Sequence, residues 1–355
     1  MRLQKFDKEE KFIKDFLKLP ASLYGSKDNT EDPDSMKKIL LGEHPLSKYF
    51  KLDKFLVYDD RNNVTGRFCI TSYEGDSVAY LGFFECVNDP EAAKFLFDSA
   101  YDFCAENGFE SIQGPVDASF WIKYRLKINK FESPYTGEPY NKDYYFKMFK
   151  DNGFEVIEHY TSNEFRSVDE SYVNEKFAER YKSFLDNGYE IRSVREDEIP
   201  ERIDDVYELI AKLYSDFPIF KYVSKEDFRE VFKSYGTIMD TSMTKVAFHE
   251  GKMVGFYISV PDFGNLVYHT GNPLNLMKIL KLKKKPERYV MLYMGVDERH
   301  RGLGKALVYA IMKELMESGL PSIGALIRDG KVNQNYASDE IADVFEYVLL
   351  ERKIG

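Results

Sequence analysis

The amino-acid sequence predicts an α/β fold in which a central mixed β-sheet is flanked by helices, and it predicts this arrangement twice. Strand patterns alternate with helix patterns along the chain, which favours parallel or mixed sheets. The 355 residues are about twice the length of an ordinary domain. A strand–helix–strand unit occurs once in each half, at residues 80–116 and 289–327, which indicates an internal duplication.

In the first half we expect a helix at residues 9–19 and strands at 54–60, 64–75 and 77–87. The next helix is predicted over Pro90–Glu106, because Asp89 suits the N-cap and Pro90 the first helical position. Further elements are expected in this order: a strand at 110–116, an irregular aromatic stretch at 117–141, a helix at 144–154 and a strand at 154–167.

The second half follows a charged helical connector at residues 169–188. A strand, two helices and a hairpin lead to a final strand–helix–strand unit. The expected elements are a strand at 189–194, helices at 200–217 and 224–235, hairpin strands at 244–250 and 253–263, strands at 289–296 and 322–330, a polar helix at 335–343 and a last strand at 345–354.

Charge and composition limit the function. The net charge of −10 disfavours nucleic acid as a partner, because phosphate contacts need a basic face. Apolar residues make up 43% of the chain, which suffices for packed cores.

The cysteines and the hydropathy pattern concern location. Cys69, Cys86 and Cys104 stand singly among apolar residues, so we expect buried thiols in a reducing compartment and no metal site. No signal peptide is visible and no apolar run reaches the roughly 20 residues of a membrane span. We therefore expect a cytoplasmic protein without a transmembrane segment.

The most informative stretch is GVDERHRGLGKAL at residues 295–307. A strand precedes it, and an amphipathic helix follows, with Leu303 and Leu307 on its apolar face. The first N–H groups of such a helix, together with its dipole, attract anions, and glycines let an anion approach. The stretch matches neither the dinucleotide-binding motif GxGxxG nor the P-loop motif GxxxxGK(S/T), because Lys305-Ala-Leu follows Gly302-Leu-Gly304.

Arg299-His-Arg-Gly302-Leu-Gly304 resembles the (Q/R)xxGx(G/A) signature of the GNAT superfamily of acyl-CoA-dependent N-acyltransferases. The resemblance extends over residues 188–355, and residues 40–165 resemble a degenerate copy without the glycine loop. It implies tandem GNAT-like domains: a degenerate domain at 1–168 that contributes to the acceptor site, the connector at 169–188 and an acyl-CoA-binding domain at 189–355.

The resemblance implies that backbone N–H groups of the loop hold the CoA pyrophosphate while the preceding strand end pairs with the pantetheine arm. The basic side chains either add charge to this site or are simply solvated. The implied cofactor-binding residues are Met294, Gly295, Val296, Arg299, His300, Arg301, Gly302, Leu303, Gly304 and Lys305.

The implied reaction is direct transfer of an acetyl or other short acyl group from acyl-CoA to a primary amine of a small molecule or peptide. Tyr336 is the residue implied as the acid, although its surroundings match the family loosely and a surface tyrosine is the alternative. His249, Glu250, His269 and Tyr293 are weaker candidates for a base. A non-catalytic acyl-CoA sensor or partner-binding module remains open, as does a tandem transferase of the Fem or N-myristoyltransferase type.

Residues 274–288 alternate leucine and methionine with six basic side chains. One interpretation is a basic amphipathic helix facing an acidic substrate, a membrane surface or the CoA 3′-phosphate. The interpretation that we favour is a solvated helix packing its apolar face on the sheet.

Overall fold

The computed structural model describes residues 1–217, 219–331 and 336–355. The described chain divides into two compact units, of which the first comprises residues 1–134, 138–160 and 346–355 and the second residues 135–137 and 161–345. The end of the chain therefore belongs to the first unit, a long-range connection that no local sequence pattern marks. The boundaries predicted after residues 168 and 188 remain predictions about functional domains.

The two units contain helices and strands in alternation. In chain order, the first elements are β1 (Arg2–Phe6), α1 (Glu10–Leu23), α2 (Pro33–Leu41), β2 (Lys51–Tyr58), β3 (Val64–Ser72), β4 (Val78–Cys86), α3 (Pro90–Glu106), β5 (Ser111–Gly114), β6 (Val116–Asp117), β7 (Lys123–Tyr124), β8 (Leu126–Lys127), α4 (Tyr145–Asp151) and β9 (Glu155–Phe165). The remaining elements are α5 (Glu175–Asp186), β10 (Tyr189–Ser193), α6 (Ile199–Leu213), α7 (Lys225–Phe232), β11 (Lys245–His249), β12 (Lys252–Pro261), α8 (Pro273–Lys284), β13 (Tyr289–Val296), α9 (Leu303–Ser318), β14 (Ser322–Arg328) and β15 (Ile341–Lys353).

Each unit contains a run of paired strands of mixed direction. In the first, the strand order is β1-β2-β3-β4-β5-β15, and only the β4–β5 pair is parallel. In the second, the order is β9-β14-β13-β12-β11-β10, with β13 and β14 parallel. Helices α3 and α9 occupy equivalent places after the strands β4 and β13, and each buries its apolar face against its own sheet. The predicted α/β class with mixed sheets is confirmed.

The same local geometry recurs in the two sheets. Strand β4 pairs with β5 over Val78–Tyr80 only, and β13 pairs with β14 over Tyr289–Met291 only. Beyond that short parallel ladder the register of β4 against β3, and of β13 against β12, shifts at a bulge. A bulge bends its strand and increases the local twist. In both units the central strand therefore diverges from its parallel neighbour after three paired residues. The predicted duplication is confirmed.

In the first unit, the space where β4 diverges from β5 is occupied by other residues of the same unit. A Cβ atom added at Gly82 in β4 would lie 1.8 Å from the carbonyl oxygen of Val116, so the two backbones touch. In addition, the Asp89 side chain accepts the N–H groups of Glu91 (2.8 Å) and Ala92 (3.2 Å) at the start of α3, and Pro90 has no N–H. The first unit therefore has neither an open strand edge nor an uncapped helix start at this place.

Several sequence-based expectations were wrong or incomplete. Strand β1 and helix α2 occur where no regular structure was predicted at residues 2–6 and 33–41. Part of the polar helix predicted at 335–343 lies outside the described residues. For the described residues the predicted helix is wrong, because Ser338–Glu340 form one 3₁₀ turn and the long strand β15 begins at Ile341. The alternation of valine, phenylalanine and leucine at 344–350 favours a strand over a helix.

The interpretation of α8 as a helix packed by its apolar face is also wrong. Ile279 is its one residue with a buried side chain, whereas Leu274, Met277 and Leu280 are 64%, 67% and 60% exposed. The leucines of this helix thus lie mostly outside the core.

An ion-pair cluster is buried in the first unit beside a cavity of about 40 Å³. Arg67, 2% exposed, lies 4.4 Å from the ring centre of Phe16 and donates to that residue's carbonyl oxygen (2.8 Å) and to both carboxylate oxygens of Glu31. Glu85 accepts the hydroxyls of Tyr145 (2.6 Å) and Tyr24 (3.0 Å) through one oxygen. Burial raises the pKa of Glu85 above its ordinary value. All three cysteines are also buried, as predicted.

Candidate functional site

The glycine loop between β13 and α9 is built on the carboxylate of Asp297. Asp297 is 6% exposed. It accepts the Arg299 backbone N–H at 3.1 Å, the Arg299 guanidinium at 2.9 Å and the Lys212 ammonium at 3.2 Å, while its carbonyl oxygen accepts the His300 N–H at 2.9 Å. The Arg299 hydrogen bonds hold the pKa of Asp297 well below its usual range. Sequence reasoning missed this residue, although an Asp two residues before a turn is a known signal for such a bond.

We expect Asp297→Asn to lower the free energy of unfolding by about 1 kcal/mol, because the partners of the carboxylate are solvent-exposed. A carboxylate whose folded pKa is depressed stabilises above its ordinary value, 3.8, and loses that effect only as pH falls through the folded pKa. Urea denaturation of both proteins at pH 7 and pH 5 should therefore give nearly the same difference. A stability difference that disappears by pH 5 would contradict the stabilising role of the ionised Asp297 carboxylate.

Three N–H groups of the loop point to no acceptor among the described residues. The N–H groups of Arg299 and His300 bond to Asp297, and that of Leu303 bonds to the His300 carbonyl oxygen at 3.1 Å. The N–H groups of Arg301, Gly302 and Gly304 have no such partner within residues 1–217, 219–331 and 336–355. Gly302 is the N-cap of α9, with φ +93° and no side-chain cap. Of the backbone N–H groups at residues 299–304 that the resemblance implies as pyrophosphate donors, these three are therefore the ones without a partner among the described residues.

Three cations, Lys176, Arg180 and Lys305, lie close together beside these N–H groups, and helix α5 contributes two of them. The Arg180 side chain lies 3.5 Å from where a Cβ of Gly302 would be, and Lys305 has a lowered pKa because of burial and the nearby charges of Lys176 and Arg180. Within the part of the chain that the structure describes, Lys176, Arg180, Arg301 and Lys305 form no ion pair with a carboxylate. Unpaired cations of this kind, with free N–H groups at a helix start, suit a phosphate-bearing ligand.

Sequence reasoning missed Lys176 and Arg180. Their spacing of four residues places both on the same face of α5, but the sequence does not reveal that this face lies on the glycine loop. The packing of α5 against α9, through Phe177 among others, brings them there.

Other predicted loop residues have structural side chains. The His300 ring nitrogen Nδ1 lies 2.6 Å from the Tyr189 hydroxyl, and Tyr189 stacks on His249 with ring centres 4.1 Å apart. Leu303 is completely buried in the core. Gly295 needs to be glycine because a Cβ there would lie 2.6 Å from the Phe256 ring. His300, Leu303 and Gly295 therefore pack against neighbouring residues and support the loop. The open surface of the loop consists of backbone and cations.

The end of β13 supplies an open strand edge. Residues Met294–Val296 pair with β12 on one side. On the other side, the pairing with β14 ends at Met291, and no strand of the described residues continues it. The Met294 sulfur lies 3.8 Å from the Cβ position of Gly304. The strand edge and the glycine loop therefore form one continuous surface, and the cofactor-binding role of Met294, Gly295 and Val296 stays a prediction.

Tyr336 lies on that surface. Its hydroxyl is 3.5 Å from the Cβ position of Gly304, and its ring packs edge-on against Phe177 with centres 5.5 Å apart. Burial raises the pKa of the phenol. It is therefore a packed residue of the loop surface rather than a solvated tyrosine.

The four weaker candidates for a base do not converge. His249 packs on Tyr189, and Glu250 is an exposed turn residue with φ +51°. His269 ends a short 3₁₀ helix at residues 264–268, and Tyr293 is 41% exposed on β13. The geometry favours none of them.

Comparison with known families gives one match within the second unit: residues 203–338 match the acetyltransferase (GNAT) family. No curated protein matches the sequence. The match covers the hairpin, β13, the glycine loop and α9.

Solved structures show the same fold over almost the entire chain. A tandem GNAT protein from the clavulanic acid biosynthesis pathway has 12% identity and a TM-score of 0.52, with 100% of this chain and 99% of that chain covered. A glucosamine N-acetyltransferase region of a fungal multi-domain β-N-acetylglucosaminidase has 12% identity and a TM-score of 0.53, over 99% of this chain and 38% of that one. A probable N-acyltransferase from Enterococcus faecalis has 10% identity and a TM-score of 0.51, over 99% and 72%.

Among the described residues, no helix is long and apolar enough to cross a bilayer.

Proposed function

Because this chain has the tandem GNAT fold and carries the GNAT acetyltransferase pattern at residues 203–338, we propose that it transfers an acetyl or other short acyl group from acyl-CoA to a primary amine. The observation that carries the proposal is the open glycine loop: three unpaired N–H groups at Arg301, Gly302 and Gly304, surrounded by cations that form no ion pair within the described residues. A diphosphate needs such a set of donors and charges.

The residues have distinct roles in this proposal. The loop N–H groups and the cations Lys176, Arg180 and Lys305 hold the phosphates of CoA. The free edge of β13 at Met294–Val296 pairs with the amide groups of the pantetheine arm, as an added strand does. Arg299, held by Asp297, keeps the loop in shape. The second unit thus supplies the donor site, and the first unit, whose equivalent place is closed, has no donor site of its own.

Transfer requires a neutral amine, a stabilised oxyanion and a proton for the leaving thiolate. A backbone N–H at the end of β13 serves the oxyanion. Tyr336 supplies the proton, since its phenol, whose pKa burial raises above the ordinary value, is protonated at neutral pH. The amine loses its proton to solvent or to the substrate itself, since no base converges on the site among the described residues.

Turnover tests the proposal directly. The purified chain is incubated with acetyl-CoA and a panel of primary amines, and release of free CoA thiol is followed with a thiol reagent. We expect amine-dependent release with at least one acceptor class. Tight acetyl-CoA binding without turnover on any amine would instead favour the acyl-CoA sensor.

We expect Tyr336→Phe to lower kcat by about 10- to 100-fold with an acetyl-CoA Kd within about twofold of the wild type, because only proton donation is lost. Stopped-flow thiol release and calorimetry measure the two quantities. The control is Tyr222→Phe, which changes a tyrosine that is 64% exposed. A raised Kd with unchanged kcat would assign the hydroxyl to phosphate binding and contradict its role as the acid.

A further inference from the structure

Helix α8 presents an apolar surface to solvent. Leu274, Leu276, Met277 and Leu280 are 45–67% exposed, and Ile279 alone is buried. Single exposed leucines are ordinary on protein surfaces, but contiguous apolar patches rimmed by polar groups mark interaction sites. Four large apolar side chains within two turns of one short helix form such a patch.

The same helix and its C-cap are strongly basic. Residues 273–285 contain five lysines and no acidic residue, in a chain whose net charge is −10. Among the described residues, Lys278, Lys281, Lys284 and Lys285 form no ion pair. Lys278 and Lys281 alternate with the apolar side chains, and three further lysines follow at the C-terminal end, so a surface that accepts α8 must offer apolar contacts and negative charge side by side. Long lysine stems reach from an apolar region to a charged one.

We propose that α8 binds the surface of an anionic lipid bilayer. A helix of 12 residues is too short to span a bilayer, but a short helix with exposed apolar and basic side chains lies in the headgroup region, with its apolar side chains between the acyl chains and its lysines reaching the phosphates. The exposed leucines and methionine meet the first requirement, and Lys278, Lys281, Lys284 and Lys285 meet the second.

A second copy of this chain fits the face less well. A symmetric dimer places the same patch of both copies in contact, so the lysines of one α8 would face those of the other. Repulsion between like charges opposes that contact, whereas phosphatidylglycerol headgroups neutralise the same lysines.

Vesicle co-sedimentation of the full chain tests the proposal. We expect binding to phosphatidylcholine vesicles that contain about 30% phosphatidylglycerol, little binding to pure phosphatidylcholine, and loss of binding when salt is raised from about 0.1 to about 0.5 M. Absence of binding to the anionic vesicles at the lower salt concentration would overturn the proposal.

Two variants separate the apolar and the charged contributions. Leu274→Ser/Met277→Ser/Leu280→Ser and, separately, Lys278→Gln/Lys281→Gln/Lys284→Gln are each expected to lower the vesicle partition coefficient at least about tenfold. Because these side chains are exposed, the thermal midpoint should not change.

The matched control removes three exposed lysines elsewhere, as Lys8→Gln/Lys11→Gln/Lys37→Gln, with the same change in net charge. It should bind vesicles like the wild type. Equal losses in the control and the α8 lysine variant would indicate general charge attraction and overturn the proposal. So would a wild-type dimer that the serine variant converts to a monomer, since the face would then belong to a second copy.

Discussion

Gly304→Glu is expected to raise the Kd for acetyl-CoA at least about 100-fold, equivalent to about 2.7 kcal/mol. A Cβ at this position points toward the Tyr336 hydroxyl, 3.5 Å away, and the Met294 sulfur, 3.8 Å away. A glutamate side chain therefore extends over the loop surface, and its carboxylate occupies the place proposed for phosphate beside Lys305. It displaces the ligand and also neutralises the cations that attract it.

Calorimetry with acetyl-CoA measures this effect. Gly271→Glu is the matched control, because it adds the same charge where a Cβ meets nothing within 4 Å and the backbone needs no positive φ. Gly304→Ala should retain binding within about threefold, since a methyl group at 3.5 Å is an ordinary contact. Equal affinities for the wild type and the glutamate variant would remove the proposed donor site.

Arg67→Met is expected to destabilise the first unit by about 3–5 kcal/mol, because it leaves the largely buried carboxylates of Glu31 and Glu85 without their shared cation. Replacing both partners, as Arg67→Met/Glu31→Gln, should recover part of that loss, since the Glu31 charge is then absent and only Glu85, 4.0 Å from the Arg67 guanidinium, has lost its cation. The exposed arginine of the first turn after β2, in Arg61→Met, serves as the control and should change stability by less than about 0.5 kcal/mol.

Tryptophan fluorescence follows this unfolding within the first unit. The chain has one tryptophan, Trp121, which lies in the first unit and is 8% exposed. Its urea transition therefore reports the affected unit even if the two units unfold separately. A loss equal to that of the Arg61 control would show that the buried pair contributes nothing beyond a surface arginine.

The sequence predicted those features that depend on neighbouring residues. The glycine loop, the buried face of α9 and the cap at Asp89 each follow from a spacing of four residues or fewer, and the structure has them. The duplication was visible because both strand–helix–strand units repeat the same order of short patterns.

Features that depend on distant parts of the chain escaped prediction. Nothing in the sequence places Lys176 and Arg180 on the loop, because their position follows from how α5 packs on α9. The orientation of α8 was predicted wrongly, since periodicity shows that a helix has leucines but not whether a sheet is available to cover them. Strand β15 was predicted too short for a similar reason: pairing partners determine where a strand begins.

The first N–H groups of α3 and of α9 lie at the same point of two related folds but differ in their hydrogen bonds. In α3 an aspartate side chain satisfies the first N–H groups, and the backbone at Val116 closes the neighbouring strand edge. In α9 a glycine leaves both open. Opening a ligand site in the first unit would thus require two separate alterations, one at Asp89 and one at the backbone near Val116. A single substitution at either place therefore does not turn the first unit into a second phosphate site.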